Sequence, residues 1–163
     1  MKKMIKYFTL LIVILIMCSG CEEEKNSELT KKKNENALYC TKETSAKDNM
    51  STSLKYTIYY KGEYVTRTVS IEKVISDDNN ILEKYKTAYE NVFKAYQNID
   101  YYDNKVEKLG NSVTSTTVIN YEKVDTKRLL EIEGEEGNVF DSNGKVKKDT
   151  LVNLYKKYGA KCE

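Results

Sequence analysis

Alternating apolar and polar residues predict most of the strands in this chain. Between residues 54 and 75, apolar side chains recur at every second position on both sides of Lys61-Gly62-Glu63, which predicts a β-hairpin. A second hairpin is predicted where two strand-like runs, 106–109 and 113–121, flank Gly110-Asn111. Short strands are also predicted at residues 37–43 and 160–163, near the two ends of one fold.

A spacing of three and four residues between apolar positions predicts three helices. The longest covers residues 80–97, after a cluster of Asp and Asn side chains suited to cap it. Asp125 is expected to cap a short second helix, and Asp149 a third helix that ends at Gly159. Residues 133–148 are expected to form a loop. The tyrosines expected at core positions of the helices are Tyr85, Tyr89, Tyr96, Tyr155 and Tyr158.

The predicted order is β-ββ-α-ββ-α-α-β, which indicates an α+β fold. We expect an antiparallel sheet with the helices packed on one face. The domain should occupy residues 37–163, because residues 22–36 have almost no apolar side chain and read as a solvated tether.

The first 21 residues have the pattern of a bacterial lipoprotein signal. Three lysines precede an apolar stretch at residues 8–17, and small residues precede Cys21. We therefore expect cleavage after residue 20 and lipid on Cys21, which would anchor the domain to the outer face of the cell membrane. The alternative is an uncleaved transmembrane helix, but residues 7–21 are short for a bilayer that needs about 20 apolar residues.

Charge and composition exclude several classes of function. Residues 1–20 hold three of the 27 basic residues, so the basic residues in the rest of the chain nearly balance the 25 acidic residues. A chain without an excess of positive charge gives no reason to expect nucleic acid as a partner. The chain has no histidine, which excludes His-dependent triads and removes the commonest zinc ligand. No phosphate-binding glycine loop occurs, and we predict no cofactor.

Cys40 and Cys162 are the two cysteines that remain after the lipidated residue. An even pair in a small exported domain indicates a disulfide, with Cα atoms about 4.4 to 6.8 Å apart. The alternative is a pair of unbonded thiols. A metal or catalytic role is disfavoured, because the chain supplies neither a histidine nor a second cysteine pair at zinc spacing.

Three segments resemble the YehR-like family of small bacterial lipoproteins: YYKGEYVTRTVS (59–70), KYKTAYENVFKAYQNI (84–99) and VINYEKVDTKRL (118–129). LYCTKE (38–43) and YGAKCE (158–163) are similar to a Gram-positive branch with a terminal cysteine pair. The resemblance implies an anchored α+β domain without an established activity, and no catalytic residue carries over from it. IDYYDNKV (99–106) departs from the family pattern, which has a Gly-Val pair there.

The remaining candidates for a functional site are tyrosines and acids. Tyr59, Tyr60, Tyr101 and Tyr102 are not explained by helix packing, and one of the adjacent Tyr59 and Tyr60 should face solvent, so together they form a candidate ligand surface. An acidic stretch is interpreted as a solvated loop rather than a metal site, since its spacing fails the EF-hand pattern. Its members are Glu131, Glu133, Glu135, Glu136 and Asp141. No acid lies on an apolar background where a raised pKa would be expected.

These observations favour a non-enzymatic binding module that recognises an envelope protein or glycan. One alternative is a structural factor in an envelope complex. Another is an enzyme that uses paired carboxylates on cell-wall glycans, which would need two acids about 5 to 9.5 Å apart in a cleft.

Overall fold

The computed structural model describes residues 34–47, 49–134 and 139–163. The predicted signal, Cys21, most of the predicted tether, and Glu135 and Glu136 lie outside the described residues.

The described residues form six strands and three helices. The strands are β1 (Asn36–Lys47), β2 (Met50–Lys61), β3 (Tyr64–Ser76), β4 (Tyr102–Leu109), β5 (Ser112–Asn120) and β6 (Lys161–Cys162). The helices are α1 (Asn79–Phe93), α2 (Thr126–Glu133) and α3 (Lys148–Lys157). The strands make one antiparallel sheet in the order β4-β5-β3-β2-β1-β6. The predicted α+β fold is confirmed.

All three helices pack on the same face of the sheet. Because strand side chains alternate between faces, residues paired across neighbouring strands share a face. Leu82 of α1 packs on Val74 and Val113, while Leu151 of α3 packs in a cluster with Ile58 and Cys40. Three buried clusters therefore lie between this face and the helices, as predicted. A further buried cluster of Tyr59, Val69 and Val118 lies on the opposite face of the sheet.

The caps of α1 and α2 are side chains that the sequence supplies. Asp78 Oδ1 accepts a hydrogen bond from Asn80 N at 2.8 Å, and Asp125 Oδ1 accepts one from Arg128 N at 3.0 Å. The predicted cap of α3 is wrong, because Lys147 is the N-cap residue and Asp149 lies in the first turn. A tertiary contact fixes the first residue of α3, because Lys148 N donates a hydrogen bond of 2.8 Å to Glu63 O in the β2–β3 turn.

Several predicted boundaries differ from the structure. α1 ends at Phe93 rather than at residue 97, and β2 and β4 each begin four residues earlier than predicted. Tyr158 lies just beyond α3 and is 63% exposed, so its expected core position is wrong. Glu35 and Asn36, which the sequence assigns to the tether, belong to the folded part: Asn36 begins β1 and Glu35 is buried.

A disulfide joins Cys40 to Cys162 and fixes β6 to β1, as predicted. Tyr39 and Glu163 exchange two backbone hydrogen bonds of 2.9 Å, so the neighbouring Cys40–Cys162 pair is the non-hydrogen-bonded kind, in which backbones approach closely. The Cα atoms are accordingly 4.0 Å apart, just below the expected range.

Candidate functional site

A layer of tyrosines lies between the sheet and the helices. Tyr56 stacks on Tyr155 with ring centroids 4.0 Å apart, and Tyr96 stacks on Tyr102 at 4.5 Å. Burial raises the pKa of Tyr56 to about 12, with a smaller contribution from Glu72, and burial raises the pKa of Tyr102 further. These phenols therefore stay protonated at neutral pH and can donate hydrogen bonds.

Two carboxyl groups lie beside this layer, and they correct the expectation that no acid would have a raised pKa. Strand alternation places Glu72 of β3 on the helix-covered face, where burial raises its pKa despite a hydrogen bond from Tyr89. Glu133, at the end of α2, keeps part of its side chain in solvent, but the protein around its carboxyl also raises its pKa.

An open cleft with a volume of about 410 Å³ lies between the C-terminal end of α1 and strand β4. Its aromatic wall consists of Phe93, Tyr96 and Tyr102, and the ring centroid of Tyr102 is 6.4 Å from that of Phe93. Polar side chains from both elements complete the lining: Glu90, Lys94, Gln97, Asp103 and Asn104. The cleft thus combines stacked rings with amide and charged groups, a pattern typical of sites that bind sugars or peptides.

Asn104 lines this cleft, and hydrogen bonds to β5 hold its side chain in place. Its side-chain Nδ2 donates to Thr116 O at 3.2 Å and lies 3.1 Å from Thr117 Oγ1, both on the neighbouring strand β5. An amide fixed in this way is already oriented before any ligand arrives, which lowers the entropic cost of binding.

The four tyrosines of the predicted ligand surface do not form one patch. Tyr59 is buried on the face opposite the three described helices, with the Arg67 guanidinium 3.6 Å from its ring centroid. Tyr60 points to the other face, where Lys148 Nζ lies 5.0 Å from its ring. Tyr101 is 44% exposed in a left-handed turn, and only its neighbour Tyr102 lines the cleft.

A β-bulge in β3 places Arg67 opposite Tyr59, on the same face of the sheet. The pairing of β2 with β3 shifts between Tyr59 and Tyr60, which leaves Thr66 as the extra residue. Thr66 Oγ1 and Arg67 NH2 both reach the Glu35 carboxylate, at 2.9 and 3.3 Å. The result is an ion pair with both side chains almost completely buried.

The acidic stretch is not organised as a metal site within the described residues. Two backbone N–H groups, of Asn143 and Lys145, donate to Asp141 Oδ1 at 2.9 and 3.0 Å. The hydrogen bond from Lys145 is the main cause of the lowered pKa of Asp141. Across residues 34–47, 49–134 and 139–163, no group of three or more Cys, Asp and Glu side chains is placed to hold a metal ion.

Two solved structures have the same fold. The NMR structure of the E. coli YehR protein is 21% identical to this chain, with a TM-score of 0.55, and the match covers 82% of this chain and 93% of YehR. The chain has a YehR-like fold. The NMR structure of a protein from Streptococcus pneumoniae TIGR4 is 13% identical, with a TM-score of 0.53 over 82% of this chain and 88% of that chain. No family model and no curated protein matches the chain.

The sequence did not predict most of the residues that build the cleft. The sequence pattern places Phe93 and Tyr96 on the packed face of a helix, and the strand it predicts begins at residue 106, after Asn104. In the structure, half-buried and exposed residues alternate along β4 from Tyr102, and Asn104 and Val106 are half-buried. In the sequence, Tyr102 and Val106 are the apolar residues of this set, so the pattern alone does not place Asn104 in the cleft. None of the helices in the described ranges is long and apolar enough to cross a bilayer.

Proposed function

We propose that this protein is a lipid-anchored, non-enzymatic binding module on the extracytoplasmic face of the cell membrane, and that its ligand site is the cleft between α1 and β4. The anchor is inferred from the leader and Cys21, which lie outside the described residues. The observation that carries the binding role is the open cleft of about 410 Å³ with its wall of three aromatic rings.

The surroundings of the cleft support binding rather than catalysis. An enzyme of the carboxylate class needs two acids facing one another across the substrate. Glu72 and Glu133 have raised pKa values, but neither lines the cleft, and the Glu72 carboxylate already accepts a hydrogen bond from Tyr89. Glu90 and Asp103 do line it, and Glu90 is engaged by Lys86 at 3.0 Å.

Site-specific photo-crosslinking in intact cells tests this proposal. A benzophenone amino acid replaces Gln97, an exposed residue on the rim of the cleft, in one variant. In the control variant it replaces Tyr158, which is 63% exposed and does not line the cleft. We expect an adduct at position 97 that is absent at position 158.

Digestion of the adduct identifies the class of ligand, since protease removes a protein partner and a muramidase removes a glycan. A purely structural role predicts adducts at several unrelated surface positions, including 158. Equal adducts at both positions, or none at 97, would refute the cleft as the ligand site.

A further inference from the structure

Strand β4 is an edge strand of the described sheet, with β5 on one side. In antiparallel pairs, hydrogen-bonded residue pairs alternate with non-hydrogen-bonded pairs. Asn120 N donates to Tyr101 O at 3.0 Å, so Tyr101 and Asn120 form a hydrogen-bonded pair, and every second pair along the two strands is of the same kind. Asp103, Lys105 and Glu107 therefore bond to β5. Asn104, Val106 and Lys108 direct their backbone N–H and C=O groups away from β5, toward the open edge.

Helix α1 runs alongside this edge strand in the opposite direction and is fixed at both ends of it. Near the start of α1, Lys108 Nζ bonds to Asn79 and to Glu83, the latter at 2.8 Å. At the other end, Phe93 and Tyr96 contact Tyr102. The cleft thus has the edge of β4 as one wall and α1 with the turns that follow it as the other, over the stretch from Tyr102 to Val106.

From this arrangement we propose that the ligand is an extended peptide, which adds as a further strand to the edge of β4 in the groove against α1. The inference deepens the proposed function and rests on it. The backbone groups of Asn104 and Val106 recur every second residue, which is the spacing that another polypeptide strand matches. A linear glycan also has a regular repeat, but it presents hydroxyls rather than the backbone N–H donors and C=O acceptors that pair with a strand edge.

The side chains around the groove define the peptide further. Alternate peptide residues would point toward Phe93, Tyr96 and Tyr102, which favours apolar or aromatic side chains at those positions. The intervening residues would lie on the opposite face, beside the exposed Asp103, Lys105 and Glu107. Lys105 and Glu107 already pair at 2.8 Å, so a basic peptide residue opposite Asp103 gives the favourable cross-strand charge pair.

Peptide selection and binding supply the first arm of the test. A phage-displayed library of random decapeptides is panned against the full chain in detergent micelles, and the affinity of a synthetic selected peptide is measured by fluorescence anisotropy. Val106→Pro removes an outward-facing N–H without removing a bond to β5, and we expect it to weaken binding at least about tenfold. Glu43→Pro is the matched control, because the Glu43 N–H also faces outward at the other side of the sheet, beyond the short strand β6. It should bind like the wild type.

A second pair of variants tests the contribution of the aromatic wall to peptide binding. Phe93→Ser should abolish detectable binding, whereas Val92→Ser, at a 57% exposed neighbour that does not line the cleft, should leave the affinity unchanged.

Amide hydrogen exchange of the wild-type chain gives a readout that does not depend on how any variant folds. Without peptide, the amides of Asn104 and Val106 should exchange fast and those of Lys105 and Glu107 slowly. With peptide, Asn104 and Val106 should become protected.

Three other outcomes of these experiments would each refute the proposal that a peptide adds to the edge of β4. A peptide that needs Phe93 but leaves these amides fast would refute strand addition and leave the proposed binding cleft intact. Protection that grows with protein concentration, together with a doubled mass in light scattering, would make a second copy the occupant. Failure to select a peptide, alongside a glycan adduct at position 97, would assign the cleft to a glycan.

Discussion

Loss of the Cys40–Cys162 disulfide should strongly destabilise this fold. The bridge joins residues 122 positions apart, and in the chain-entropy model a loop of that length stabilises the folded state by about 5 kcal/mol at 25 °C. Residual structure in the unfolded chain reduces this figure, so we expect Cys162→Ser to lower the free energy of unfolding by about 2 to 5 kcal/mol.

The structure explains why the fold depends on this bridge. β6 has only two residues, and its ladder with β1 pairs Cys162 with Cys40 and Lys161 with Thr41. Cys40 is fully buried in the cluster that also holds Leu151 of α3. Without the bridge, few contacts hold the end of the chain against β1, and we expect β6 to separate first.

Urea unfolding followed by far-ultraviolet circular dichroism measures the effect. With an m-value of about 2 kcal/mol per molar urea, the midpoint should fall by about 1 to 2.5 M. Reduced wild-type protein should unfold at the same urea concentration as Cys162→Ser. Lys161→Ala, at the exposed neighbouring position in β6, is the control and should stay near the oxidised wild type.

Two results would refute this reasoning. The first is a Cys162→Ser midpoint within about 0.3 M of the oxidised wild type, which would mean that the loop closure contributes almost nothing. The second is full alkylation of Cys40 and Cys162 in the purified protein without reductant, as measured by mass spectrometry.

Three further predictions concern the anchor and two buried charges. Cys21→Ser should abolish metabolic labelling with a fatty acid and release the protein or leave its precursor uncleaved; persistent labelling would refute the lipid anchor. Arg67→Met leaves the carboxylate of Glu35 buried beside an apolar side chain, and should lower the free energy of unfolding by about 3 to 5 kcal/mol in urea. Adding Glu35→Gln should recover part of this loss, and no recovery would show that the two side chains are not coupled. The pKa of Glu72 is higher in the folded protein than in the unfolded chain, so stability should fall as the pH rises from the ordinary carboxyl pKa through the raised one. Glu72→Gln should remove that fall and raise the urea midpoint at pH 7, whereas Glu43→Gln, on the exposed end of β1, should behave like the wild type.

The sequence determined the elements and their order, because each strand and helix carries a local signal of its own. Period-two alternation marks β2 and β3, and a spacing of three and four marks α1. Asp78 and Asp125 each cap a helix through a hydrogen bond to a backbone N–H two or three residues later. Because this contact is local, the capping residues could be predicted without knowledge of the fold. The disulfide was equally predictable, because Cys40 and Cys162 are the two cysteines that follow Cys21 in the sequence.

Only the tertiary structure decided which side chains share a surface, because register and bulges are set by pairing between distant segments. The bulge at Thr66 places Arg67 against the ring of Tyr59, and the residues that flank Tyr59 in the sequence give no sign of this contact. Phe93 of α1 and Asn104 of β4 line the same cleft, because the helix packs along the strand that follows it in the chain. The position of β4 at the edge is also a property of the whole sheet, because residues 102–109 alone do not show which side of the strand is paired. Among the described residues, β4 pairs with β5 on one side, and its other side is where we propose that the peptide binds.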